Sequence, residues 1–96
     1  MITEGFAPTA AAERYIQPVA KHWSHKFAVT YDAGAVVIPF GETTHARFTA
    51  RADGIAITLE VPGAAAAARM QEVIAVHINR FAFREGPLAF TWSAAP

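Results

Sequence analysis

Residues 45–61, HARFTARADGIAITLEV, alternate apolar and polar side chains on either side of one Asp-Gly pair. A period of two is the pleat of a strand, and Asp53-Gly54 between two such runs signals a two-residue hairpin turn. That turn predicts Ala50 opposite Ile57, Phe48 opposite Leu59 and Ala46 opposite Val61 on one face. The other face then carries Arg47 opposite Glu60 and Thr49 opposite Thr58, with His45 and Arg51 on the same side. One apolar face and one wetter face mark an antiparallel sheet covered on a single side.

The cover comes from two segments whose apolar residues recur at helical spacing. Pro8-Thr9 opens the first, with Thr9 as the expected N-cap and Glu13 in the first turns. Tyr15, Ile16, Val19 and Trp23 form one stripe. Pro18 lies inside it, and since proline removes a helical hydrogen bond, a kinked helix over about 9–23 is expected. The second helix is expected over roughly 64–84, after Pro62-Gly63 ends a strand. Met70, Val73, Ile74, His77, Ile78 and Phe81 face inward, and Gly86-Pro87 is a stop.

Residues 2–7 read as a short strand, and 88–92 as a last strand with Leu88, Phe90 and Trp92 inward. FAVTY and VVIPF flank a four-residue loop, Asp32-Ala33-Gly34-Ala35. The loop pairs Tyr31 with Val36, Val29 with Ile38 and Phe27 with Phe40, all six on the core face. Pro39 cannot donate to a ladder and points to an edge or a bulge. The order is therefore β-α-β-β-β-β-α-β. It gives an α+β two-layer sandwich, a curved antiparallel sheet covered on one face by two helices, in a single domain over 1–96.

Charge narrows the function. Eight basic side chains balance eight acidic ones, so the chain lacks the basic surface a nucleic-acid binder needs. Neutrality with 53% hydrophobic residues suits a self-association surface, and a homodimer is expected. No cysteine is present, which removes disulfides, thiol catalysis and thiolate metal sites. The opening stretch MITEGFAPTAAAERY has no basic region followed by an apolar one, and no run of 18 apolar residues exists. Neither a secretory signal nor a membrane span is expected, and the cytoplasm is the expected compartment.

Three stretches, ERYI…KHWSHKF, DGIAITLE and HINRFAFRE, together resemble the short bacterial proteins called domain of unknown function 2218. The resemblance spans nearly the whole chain. Its most specific parts are Lys21 to Lys26, then His77 with Arg80 to Glu85. It implies a small bacterial protein of this α+β design and no established activity. It also implies an association with iron-siderophore uptake, which assigns no residue a role.

HWSHKF, residues 22–27, is the stretch most able to carry chemistry. His22 and His25 are three apart and share a face if the helix reaches them. Two imidazoles do not complete a metal site; His77, His45 or Glu85 would have to supply a third ligand. The plain structural account is a basic helix end, in which Lys21, His22, His25 and Lys26 complement the C-terminal dipole. His77 interrupts an inward stripe. It either bonds a backbone carbonyl and does no more, or approaches the first helix's basic end. Arg80 and Arg84, one turn apart, suit carboxylates or phosphates, but would equally complement the dipole or pair with Glu72 and Glu85. Trp23 and Phe83 could stack on a planar ligand, although Trp23 also continues the core stripe.

No phosphate-binding glycine loop, nucleophile elbow or divided carboxylate pair is present, so no catalytic residue and no cofactor are expected. Three readings follow. The first is a non-catalytic binding module for a small anionic or polar ligand, using His22, Trp23, His25, Lys26, His77, Arg80 and Arg84. The second is a homo-oligomeric interaction module. The third is a histidine-based metal-binding protein or enzyme, with His22, His25 and His77 as its candidate ligands.

Overall fold

The strands and helices follow one another in the expected order. The structure, a computed structural model, describes residues 1–94. It runs β1 (Ile2–Pro8), α1 (Ala12–Ser24), β2 (Thr30–Asp32), β3 (Ala35–Gly41), β4 (Thr44–Arg51), β5 (Gly54–Glu60), α2 (Ala64–Phe81) and β6 (Thr91–Ala94). The strands form one antiparallel sheet, ordered β2-β3-β4-β5-β1-β6. Both helices lie on one face, which makes the expected α+β sandwich.

The core sits between sheet and helices. Ala7, Ile38, Ala46, Phe48, Ile55, Ile57 and Leu59 turn towards the helices and are at most 2% exposed. From α1 come Ala12, Tyr15, Ile16, Val19, Ala20 and Trp23, spaced alternately three and one apart along one face. From α2 come Ala67, Ile74 and Ile78, with Met70, Val73, His77 and Phe81 half-buried beside them.

Helix α1 starts later than expected. Its N-cap is Ala11, with no side-chain cap. Thr9 lies before it, buried, accepting the Ala11 N–H at 3.1 Å and donating its hydroxyl to Glu85. The helix continues through Pro18 to Ser24. An interior proline costs about 3 kcal/mol. Fully burying a large apolar side chain stabilises by about 1.5–3 kcal/mol, and Ile16, Val19 and Trp23 are all buried. The stripe therefore outweighs the proline.

Both central hairpins need correction. In the second, Arg51 pairs with Gly54, so the turn is Ala52-Asp53 rather than Asp53-Gly54. Ala46 faces Leu59, Phe48 faces Ile57 and Ala50 faces Ile55, a shift of two residues. A shift of two preserves the faces, so Ala46, Phe48, Ile57, Leu59 and Val61 are buried as expected while their partners differ, and Ala50, near the turn, is exposed. Gly54 serves the strand. A Cβ there would run into the Ala7 carbonyl and the Phe6 ring, because β1 packs alongside.

In the first hairpin, Tyr31 pairs with Val36 as expected, but Asp32 also pairs with Ala35, leaving a two-residue turn. Ala33 and Gly34 take φ of 50° and 81°, the left-handed pair that such a tight turn demands. The expected pairs of Val29 with Ile38 and Phe27 with Phe40 do not form in the ladder, since β2 begins only at Thr30. The reason is local. Lys26 and Phe27 both donate their N–H groups to the Trp23 carbonyl, which curls the chain around the end of α1. Pro39 offers no donor, and β3 bulges between Pro39 and Gly41 as anticipated. Tyr31, on this short edge strand, is 74% exposed rather than packed.

At the other end, α2 stops at Phe81, and Gly86 takes a φ of 86° in the following loop. Leu88 is buried as expected but precedes β6, its N–H held at 2.7 Å by the Asn79 side-chain oxygen. Trp92 pairs with Gly5 and covers the space a side chain there would fill.

Candidate functional site

The last turn of α1 is satisfied from within. Ser24 donates its hydroxyl to the Lys21 carbonyl at 2.6 Å, and the His25 N–H reaches the His22 carbonyl at 3.4 Å. The Trp23 carbonyl takes the Lys26 and Phe27 N–H groups at 3.0 and 2.8 Å. These terminal carbonyls therefore need no cationic side chain as a partner. His22, His25 and Lys26 are exposed, and the Lys26 ammonium lies 5.9 Å above the Phe27 ring.

Helix α2 crosses beside this end and brings His77 to it. The His77 ring centroid lies 5.7 Å from that of His22 and 5.3 Å from that of Trp23. Its Nδ1 lies 2.7 Å from the Val73 carbonyl. A carbonyl only accepts, so Nδ1 carries the proton and donates, and Nε2 is the nitrogen left for another partner. Both readings of His77 thus hold together: it bonds a backbone carbonyl, and it joins the basic end of α1.

Around these residues lies a groove of about 480 Å³. Its floor is apolar: buried Trp23, with half-buried Phe27, Phe40, Met70 and Val73. Trp23 meets Phe40 edge-on at 5.1 Å, and Phe27 meets Phe40 edge-on at 5.0 Å. Its polar groups are His22, His25, Lys26 and His77, and among the described residues no carboxylate lines it. The sequence reading missed Phe27, Phe40, Met70 and Val73 as lining. Phe40 was legible only as a strand residue, because the bulge after Pro39 is what accompanies its position beside Trp23.

Other candidates lie elsewhere. Arg80 and Arg84 are exposed and do not line the groove. The Arg84 guanidinium lies 5.7 Å over the exposed Phe83 ring. The pairing expected for them with Glu72 and Glu85 is not seen; the ion pairs among the described residues are Arg47–Asp32 and Arg51–Asp53. Glu85 instead accepts the Tyr15 hydroxyl at 2.6 Å and the Thr9 hydroxyl at 2.9 Å. Tyr15 is seven residues before His22, which is about 10 Å along a helix. Glu85 is thus held away from the histidines, and it cannot be their third ligand in this arrangement. His45 sits on the sheet face opposite the helices, across from Glu60, and is equally removed. Among the described residues no group of three metal-ligating side chains converges.

Donation to Glu85 is the main reason the Tyr15 hydroxyl's pKa is raised above its ordinary value; burial and the nearby carboxylate charge act in the same direction, and Arg14 opposes them. This Thr9–Tyr15–Glu85 cluster ties the loop after α2 to the start of α1. Sequence spacing held no sign of it.

Comparison with known proteins bears on the fold and the family. No curated protein matches the chain. The solved NMR structure of PA4090 from Pseudomonas aeruginosa is similar, at 30% identity and a TM-score of 0.77 over 96% of this chain and 94% of that one. The family model described as an uncharacterized protein conserved in bacteria, DUF2218, matches residues 4–93. The chain, with its one-sided sheet and its groove where α1 meets α2, therefore belongs to the DUF2218 family.

Proposed function

We propose that the protein is a non-catalytic binding module that holds a small anionic or polar ligand in the groove between α1 and α2. One observation carries this reading. Three histidines and a lysine, from α1, the turn that follows it and α2, gather round an apolar floor, and among the described residues no carboxylate joins them. A volume of about 480 Å³ lies within the 300–1,000 Å³ typical of small-molecule sites. Ligand binding asks only for such a cleft, and no nucleophile–base pair is needed.

The test is a histidine NMR titration with inorganic phosphate, acetate, zinc and catechol, the last as an aromatic siderophore fragment. Joint movement of the His22 and His77 resonances with any of them supports a common site. If zinc alone moves them, with two nitrogens bound, the metal-binding alternative replaces this one. If none moves them, the groove binds no ligand of these classes.

The homo-oligomeric alternative is favoured by a different observation, the sheet face that no helix covers. There Ile2 is 44% exposed, and Val37 and Phe6 are half-buried. Sedimentation across a hundredfold concentration range decides it, since a constant monomer mass removes this reading.

A further inference from the structure

We infer that the ligand of this groove is a small organic carboxylate with a single ring-sized apolar body. The inference rests on the binding reading above and narrows it to one chemical class. The groove has two halves of unlike chemistry, and each excludes an alternative. A bare inorganic anion would meet Lys26 and the imidazoles but would leave Phe27, Phe40 and Met70 in contact with water. A purely apolar molecule would cover that floor but strip water from Lys26, His22 and His77 without giving them partners.

A carboxylate answers both halves. Its two oxygens accept from the Lys26 ammonium and from an imidazole, and charge-assisted bonds of this kind are the stronger ones. Among the described residues the lining offers no acidic group to repel it. The ring rests on Phe27 and Phe40, whose rings already meet edge-on at 5.0 Å, a geometry a third ring can extend. The Val73 carbonyl engages His77 Nδ1–H and leaves Nε2 for the ligand; Nε2 donates to a carboxylate oxygen when it too carries a proton, in the imidazolium form. Size sets the upper limit: about 480 Å³, much of it open to solvent between two short helix faces, suits one ring and its acid group rather than a long chain.

The test uses matched probes on the full chain: benzoate, benzamide and acetate by calorimetry, with histidine and aromatic NMR to locate them. Benzoate should bind at least tenfold more tightly than benzamide or acetate and should move His22, His77 and Phe27 together. Lys26→Gln, at an exposed position, should weaken benzoate at least threefold, leave benzamide unchanged and leave Tm unchanged. Equal binding of benzamide overturns the carboxylate, and equal binding of acetate overturns the apolar body. If phosphate or zinc moves the histidines while benzoate does not, this inference falls and the broader binding reading stands. If no probe moves them, both fall. Concentration-dependent broadening of the groove resonances without ligand would mean that a second copy occupies the site, and would also overturn the inference.

Discussion

Tyr15 shows how one side chain can bind distant parts of the chain and report on them. Its hydroxyl reaches Glu85, 70 residues away, and the bond raises its pKa. Above about pH 10, the ordinary tyrosine value, the unfolded chain gives up this proton while the folded chain still holds it. The folded state then binds more protons, so stability falls as pH rises through the raised value and is fully present below pH 10. Absorbance titration should therefore show a tyrosine step above the ordinary range, and Tyr15→Phe should abolish that step while lowering Tm at neutral pH. Two glycines act at the same scale. Gly5→Ala would put a Cβ 2.6 Å from the Trp92 ring, and Gly54→Ala would press one against the Ala7 backbone. A side chain can swing away and a strand cannot. Chemical denaturation should show a loss of about 1–2 kcal/mol for the first and about 3 kcal/mol for the second, the low and high ends of overpacking costs.

Among the elements, α1 carries the conflict between local preference and packing. Pro18 leaves the Arg14 carbonyl without its usual helical donor, yet the helix persists because six of its residues are buried. Pro18→Ala should stabilise by about 2–2.6 kcal/mol, the restored helix preference of about 3 less the roughly 0.4–1 kcal/mol of entropy that proline removes from the unfolded chain. A loss of stability on denaturant unfolding would show that the proline ring's half-buried packing outweighs both. The same helix marks what could be read from the sequence. Its stripe, the alternation of β4 and β5, and the order of all eight elements follow from residue periodicity. The second hairpin tolerated a two-residue error in partners because period two keeps its faces. The pairing of Phe27 and Val29 failed because the wrap around Trp23 is a backbone event that no side-chain pattern records. Likewise His22 and His25 stood out by spacing. The 5.7 Å between His22 and His77 depends on how two helices cross, which neither stripe alone determines.

The whole molecule is a sheet with one bare face and two short edges. Strand β2 has three residues and β6 has four, whereas β4 and β5 are long and central. Amides of Thr30–Asp32 and Thr91–Ala94 should exchange about 100-fold faster than those of Phe48 and Ile57, since edge strands open by local fraying and central ones by global unfolding. Uniform protection across the sheet would show that it opens as one unit. Short edges also limit strand-to-strand association, a common hazard of open sheets. The sheet order has one further effect, on timing. Strand β1 comes first in the chain but lies between β5 and β6. During synthesis it therefore has no strand to join until residues 54–60 have emerged, several seconds later at about 5–20 residues per second. For that interval Ile2–Pro8 must wait unpaired. Its Glu4, Gly5 and Pro8 make it a poor seed for aggregation while it does.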